Sequence, residues 1–300
     1  MKPVRFGLLG HGVVGSMLAR LLRENRAVVS SYDVLLDGEA SSDEMRRKIL
    51  ADGSRPATLE EMIRESDIVI AVATTQACRD AAVQASRCLG AGRTYCDFAS
   101  TSPEGKREIS RIIEATGAQF VEGAILGAVG ASGGCPEILL GGAAAAATGE
   151  VLRQYGIRAR FYSAEIGRAS AFKMIRSVFS KGMETLLVET LMAARRAGLL
   201  QEVWEEILAT LSPGRMQRTL ETWIRSHAVS SQRRYCEMLE VTRFLEELGI
   251  APLLSRAAAG TFRRSNDLRL AEAFKQEPDR FTDVIDYLDQ ESRNQSGLGT

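Results

Sequence analysis

The chain of 300 residues is poor in the side chains that usually advertise specialised sites. It has two histidines, His11 and His227, which excludes a histidine-rich metal centre. A Ser-His-Asp hydrolase triad would have to recruit one of them. The five cysteines (Cys78, Cys88, Cys96, Cys135 and Cys236) are scattered, odd in number and lack CxxC spacing. They read as reduced, buried thiols of a cytoplasmic protein rather than as a disulfide framework. No apolar run approaches the ~20 residues that span a bilayer. The segment Met1–Leu9 lacks the long apolar stretch and small-residue cleavage site of a secretory signal. Net charge is missing too, because 38 Lys and Arg balance 38 Asp and Glu. That leaves no basic field for nucleic acid and no basic cluster for a membrane surface.

What is present is an ordinary globular composition, 45% apolar and 25% charged, on a chain long enough for two domains. Short β-branched runs at Val4–Leu9, Ala27–Tyr32, Ile68–Val72, Arg93–Cys96 and Ala118–Val121 read as strands. Between them, Val13–Glu24, Ser42–Ala51, Thr58–Glu65, Gln76–Cys88 and Pro103–Ala115 read as helices. Thr58 and Ser102 open their helices with a capping oxygen followed by early acidic residues. Such alternation predicts a parallel sheet covered on both faces. Gly and Ala then dominate from Gly123 to Gly149, with one more strand at Glu137–Leu140, a helix start at Ala143–Ala147 and a last strand at Arg158–Tyr162.

Beyond Glu165 the pattern is helical only. Ile166–Ala197 carries helical periodicity without a proline, and further helices are expected at Glu202–Leu211, Met216–His227, Ser231–Leu248, Leu253–Phe262, Leu268–Phe274 and Arg280–Ser292. The expected organisation is an α/β domain over 1–163 and an all-α domain over 164–300 built on a long central helix. A helix of some thirty residues would run ~45 Å, longer than a small domain is wide. A homodimer is therefore the expected assembly.

Gly10-His11-Gly12-Val13-Val14-Gly15 follows the first strand and opens a helix. The first glycine permits a tight turn, the second lets the backbone approach a pyrophosphate, and the third lets helix and strand pack closely. The helix N-terminus adds free N–H groups and positive potential. Asp33 ends the second strand, where a carboxylate can accept both hydroxyls of an adenosine ribose. Tyr32-Asp33-Val34 carries no arginine for a 2′-phosphate. Strand, fingerprint, helix, strand and acid in this order point to a Rossmann-type dinucleotide site for NAD in preference to NADP. His11 is expected to face solvent or the cofactor, without a catalytic role.

Arginine is the default cation here. Only six lysines occur: Lys2, Lys48, Lys106, Lys173, Lys181 and Lys275. Lys173 stands among small and apolar neighbours in Ala169-Ser170-Ala171-Phe172-Lys173-Met174-Ile175. An arginine keeps its proton at any physiological pH, whereas a desolvated lysine can surrender one. Ser177 shares its helix face and is placed to bond the lysine or a substrate hydroxyl.

With these residues in view, the chain resembles the β-hydroxyacid dehydrogenase family, which includes 3-hydroxyisobutyrate and 6-phosphogluconate dehydrogenases. Gly10–Gly15 and Tyr32-Asp33-Val34 look like its NAD-binding half. Asp97–Pro103 looks like its D-x-S-T segment, and Gly167–Lys173 like its G-x-G-x-x-x-K signature. Glu189 and Gly198-Leu199 fall where the family's long helix carries A-E-A and G-L elements. The stretch holding His227, Arg233-Arg234 and Glu237-Met238 resembles a branch with a phosphogluconate-dehydrogenase-like C-terminal domain. The resemblance implies a nicotinamide-dependent oxidoreductase acting on a small-molecule alcohol or hydroxy acid. Lys173 would exchange the hydroxyl proton while the nicotinamide exchanges hydride at the same carbon. It also implies cofactor contacts at Ala73, Thr74 and Ser100, and substrate contacts at Gly123, Leu126, Gly127, Ser177 and Arg233.

The departures bear on the substrate. The family's D-A-P-V-S-G-G loop reads Glu122-Gly123-Ala124-Ile125-Leu126-Gly127-Ala128, so a leucine stands where a serine would hold a carboxylate. The usual asparagine after the lysine is Ser177, and a C-terminal lysine is Cys236, with Arg233 and Arg234 close by. Glu122-Gly123-Ala124-Ile125 also resembles the D-G-A-I segment of imine reductases, which generally lack the lysine and favour NADP. A third alternative is a non-catalytic NAD(H)-responsive sensor that has lost the substrate loop.

Overall fold

The computed structural model describes residues 3–127, 135–212 and 214–295. In chain order the strands are β1 (Arg5–Leu9), β2 (Val28–Tyr32), β3 (Arg55–Pro56), β4 (Ile68–Ala71), β5 (Thr94–Asp97), β6 (Gln119–Leu126), β7 (Glu137–Gly141) and β8 (Ala159–Ser163). The helices among them are α1 (Val13–Glu24), α2 (Ser42–Ala51), α3 (Leu59–Glu65), α4 (Cys78–Ser86), α5 (Pro103–Glu114) and α6 (Ala145–Gln154). After β8 come α7 (Arg168–Ala197), α8 (Leu200–Thr210), α9 (Met216–Glu247), α10 (Leu253–Asp267), α11 (Leu270–Ala273) and α12 (Phe281–Gln295). Among the described residues no helix is long and apolar enough to cross a membrane.

The strands form one sheet in the order β3-β2-β1-β4-β5-β6-β7-β8. Neighbouring side chains of one strand leave on opposite faces. Leu8 and Ile70 therefore enter one buried cluster with Leu18 and Leu22 of α1, while Leu9 and Val69 enter another with Met62 and Ile63 of α3. Two covered faces explain why β4 reads Ile-Val-Ile-Ala with every residue buried. The chain crosses from β1 to β2 on one side and reaches β4 on the other, so a crevice opens at their carboxyl ends.

The sheet is parallel, as expected, except at one pair. β7 runs antiparallel to β6, pairing Glu122 with Gly141 and Leu126 with Glu137. A chain returning beside the strand it has just left must run antiparallel, unlike one carried back by a crossover helix. Strand β3 has no counterpart in the sequence reading, because two residues ending in proline give no alternating pattern.

The chain divides into two compact units, Met1–Val178 and Phe179–Thr300. Strands do end near the expected boundary at 163/164, but the first turns of α7 belong to the first unit. Gly167, Ala169 and Ser170 are bonded to Glu122 there, and Phe172 lies against Tyr162. In the second unit, the break expected between His227 and Ser231 is absent, and α9 is continuous. Ala228 is fully buried there with Leu270 and Val284, so this stretch forms helix core rather than a turn.

Candidate active site

The glycine fingerprint forms the turn between β1 and α1. Gly10 has φ +100°, and a Cβ on it would come 3.2 Å from the Val72 carbonyl oxygen. A Cβ on Gly15 would lie 2.3 Å from the Gly10 carbonyl oxygen. At Gly15 this is a backbone collision and at Gly10 a tight approach in a left-handed conformation, so larger residues would distort the turn. Gly12 differs, since a Cβ there meets nothing within 4 Å. No side chain caps α1 at Gly12, an arrangement suited to an anion on its first-turn N–H groups. Val13 is exposed at that turn, and Val14 packs on the core.

A cavity of about 410 Å³ adjoins the turn, lined by Gly10, Gly12, Asp33, Val34, Ala73 and Thr74 among others. None of its lining residues is a lysine or arginine, and Asp80 adds a second carboxylate. Asp33 is held in place, as Oδ2 accepts from the His11 N–H at 2.7 Å and Oδ1 from the Leu35 N–H at 3.1 Å. Size, acid and uncapped helix fit a nicotinamide dinucleotide's adenosine and pyrophosphate.

His11 is not turned to solvent or to the cavity. It is fully buried beneath the turn, its Nδ1 3.2 Å from Ser31 Oγ and its Nε2 3.1 Å from Asp52 Oδ2. Ser54 continues the chain to Ser31 at 2.7 Å, and Lys48 Nζ donates to the His11 carbonyl at 2.9 Å. Burial pushes the imidazole below its ordinary pKa, against the pull of Asp52. The array contains Ser, His and Asp but is closed to any substrate. It ties the fingerprint to α2 and its following turn. The sequence reading missed this role, because polar residues at 31, 52 and 54 carry no local sign of meeting.

At the carboxyl end of β5 a second constellation forms. Lys173 is half-buried, and its Nζ donates to Ser100 Oγ at 2.5 Å. The Ser100 carbonyl in turn accepts from Thr75 Oγ1 at 2.7 Å, next to the cavity-lining pair Ala73 and Thr74. Ser100 does not itself line that cavity. Its loop is anchored from below by Lys106, whose fully buried ammonium donates to Asp97 O at 2.7 Å and Oδ2 at 2.9 Å. Asp97 Oδ1 accepts the Ala99 N–H at 3.0 Å. Lys106 is thus a cation of the interior. A lysine facing one turn of helix α5 gives no sequence cue that an aspartate waits beneath it.

The residues expected around the substrate divide. Ser177 bonds the Lys173 main-chain carbonyl at 2.8 Å, a back-bond within α7, instead of its amine. Gly123 is buried inside β6, where a Cβ would fall 2.1 Å from the Phe98 ring, so it serves packing. Leu126 ends β6 half-buried, and Gly127 follows exposed with φ +100°. Ala128 lies outside the described residues. Arg233 is in the second unit on α9, exposed and paired with Glu237. Arg234 donates to Trp223 O at 3.1 Å and Ser226 Oγ at 2.6 Å. In the same unit Glu189 caps α10, accepting from the N–H groups of Leu254 and Ser255. Cys236 is exposed, unlike the buried thiol expected of it, while Cys78 and Cys96 are buried. Among the described residues no group of His, Cys, Asp and Glu could hold a metal ion.

The profile of the NAD binding domain of 6-phosphogluconate dehydrogenase matches residues 5–162, and that of a domain of unknown function (DUF1932) matches 194–265. A solved conserved protein described as structurally similar to 3-hydroxyacid dehydrogenases is 31% identical, covering 89% of this chain and 99% of its own, with a TM-score of 0.59. A conserved hypothetical protein from Sinorhizobium meliloti is 26% identical over 96% of both chains, also with a TM-score of 0.59. The imine reductase from Myxococcus stipitatus in complex with NADP+ shares the fold, at 18% identity and a TM-score of 0.74 over 95% of this chain and 100% of its own. A variant of that enzyme was solved with NAD+. With its glycine turn, acid-ended second strand and matching profile over half its length, the chain belongs to the family carrying the NAD-binding domain of 6-phosphogluconate dehydrogenase.

Proposed function

We propose that the protein is an NAD-dependent dehydrogenase of the β-hydroxyacid type, with Lys173 as the group that moves a proton at the oxygen of the reacting carbon. The observation that carries this reading is a run of contacts along the carboxyl ends of neighbouring strands. It passes from the cavity at Ala73 and Thr74 through Thr75 and Ser100 to the Lys173 amine. In open α/β sheets, ligands sit at this edge beside the switch point.

Gly10, Gly12 and Gly15 would seat the pyrophosphate on α1, and Asp33 would hold the adenosine ribose. The bound nicotinamide would supply hydride exchange with the substrate carbon. Ser100 orients the lysine amine by accepting one of its hydrogens. An oxygen of the substrate placed on the same amine would receive or surrender a proton, and displacement of water by cofactor and substrate would favour the uncharged amine. A 2′-phosphate would meet Asp33 and Asp80 with no cation among the lining residues, which supports NAD over NADP.

The test is Lys173→Ala assayed with NAD on a panel of 3-hydroxy acids and alcohols. NADH binding should persist while turnover falls by about 10²- to 10⁴-fold. Full turnover in that variant would falsify the assignment.

A second reading is favoured by Leu126. With no hydroxyl where the family's serine holds a carboxylate, a less acidic substrate fits better. Reduction of cyclic imines with NADPH, exceeding oxidation of every hydroxy acid in the panel, would select imine reduction instead. The assembly we propose is a homodimer. α7 exposes Met174, Ile175 and Val178 in the first unit and Phe179, Val188 and Met192 in the second, apolar side chains that a partner subunit would cover. Light scattering coupled to gel filtration should give twice the 32.7 kDa chain mass, and a monomer would overturn it.

A further inference from the structure

Glu122 takes no part in the cofactor turn or in the Lys173–Ser100 contact, yet it is fully buried. Among the described residues no lysine or arginine pairs with it. Its partners are instead the first donors of α7. Oε1 accepts from the N–H groups of Gly167 at 2.9 Å and Ala169 at 3.0 Å, and Oε2 accepts from Ser170 Oγ at 2.9 Å. These backbone groups have no partner within the helix, and a carboxylate also suits the positive end of the helix dipole.

The surroundings are shaped around this carboxylate. Gly141 faces Glu122 across the β6–β7 pair, and a Cβ on it would fall 2.4 Å from Glu122 Oε1. Gly167 has φ +96°, and a Cβ there would come 3.2 Å from the Pro103 carbonyl oxygen, so α7 begins hard against α5. Lys173 follows about one helical turn after the capped residues, a rise of ~5–6 Å. The strand that leads to Leu126 and the helix that carries the amine are therefore joined through one side chain.

We propose that Glu122 is a positioning residue for Lys173, fixing the start of α7 so that the amine meets Ser100. The proposal rests on the reading of Lys173 given above and deepens it. Without the carboxylate, three donors in a dry site lose their acceptor and the first turn of α7 must shift to find others. A displacement of ~1 Å is enough to spoil an aligned catalytic contact.

The experiment reads the amine directly and uses no turnover. Lysines of the full-length protein are labelled competitively with acetic anhydride from about pH 6 to 10 and followed by mass spectrometry, with the exposed Lys275 as internal reference. Glu122→Ala should raise Lys173 labelling relative to Lys275 roughly five-fold, the counterpart of a lost N-cap. Ser170→Ala, which removes one of the three contacts, should give a smaller rise. Glu122→Gln keeps an oxygen for both N–H groups and should label like the wild type. NADH binding, read by fluorescence, should be unchanged throughout. An unaltered Lys173 profile in Glu122→Ala that still binds NADH, or equal disturbance in the Gln and Ala variants, overturns the proposal. If Glu122→Ala does not fold, an unaltered profile in Ser170→Ala overturns it. Should Lys173→Ala keep its turnover while Glu122→Ala alters the amine, the chemistry given to Lys173 fails and the positioning stands.

Discussion

At the glycine turn the binding surface is main chain: absent side chains make the room, and an uncapped helix end makes the polarity. At the Lys173 end the surface is side chain, a serine and an amine held in place by groups that never touch solvent. Lys106 and Asp97 fix the loop under Ser100, and Glu122 fixes the helix under Lys173. The two regions should therefore fail differently. A side chain added at Gly12 blocks the ligand and spares the fold, whereas a residue removed beneath the amine strikes the fold first.

The sharpest test of that contrast is Lys106→Met. It strands the Asp97 carboxylate in the interior and should cost about 3–5 kcal/mol, read as a lowered urea midpoint. Adding Asp97→Asn should return part of the loss, and a Lys106→Met midpoint equal to wild type would show that the pair carries little. Next in size is Gly12→Val. Its Cβ meets open space, so the urea midpoint should stay put while NADH affinity falls roughly a hundredfold, about 2.8 kcal/mol. Loss of stability in this variant would erase the distinction between the two regions.

Asp33→Ser keeps an oxygen for the Leu35 N–H and removes a charge from the cavity wall. NADH affinity should drop about tenfold with NADPH affinity rising toward it, and equal losses for both cofactors would count against the ribose role. The smallest effect is that of pH on stability. His11 and His227 are both lowered from 6.5, first of all by burial, so each stays neutral in the folded chain while the unfolded chain takes up a proton. Their contribution is complete above about pH 6.5 and is lost as pH falls through the lowered folded values. The urea midpoint should decline from about pH 7 to 5, and His11→Gln should flatten part of that decline.

What could be read from the sequence follows the same division. α1 and α2 run from Val13 to Glu24 and from Ser42 to Ala51, as their periodicity predicts. Thr58 and Ser102 cap as expected, because a cap is a matter of three or four adjacent residues. Gly10, Gly15 and Asp33 were legible for a similar reason: a tight turn and a strand end leave local marks. The burial of His11, the Lys106–Asp97 pair and the grip of Glu122 on α7 depend on residues far apart in the chain, and no spacing rule announces them. The reversal at β7 was hidden because a short apolar strand reads alike in either direction. The continuity of α9 was hidden because Ala228, Val229 and Ser230 fell between two expected helices, whereas Ala228 lies in the core.

One feature of the surface opens a practical route. Cys236 is exposed on a helix of the second unit, whereas Cys78 and Cys96 are buried and the burial drives both thiols away from their reactive, ionised form. A maleimide dye should therefore react at Cys236 in preference to those two. If its absorption overlaps the emission of reduced nicotinamide, the label becomes a ruler from the second unit to bound NADH, readable by energy transfer.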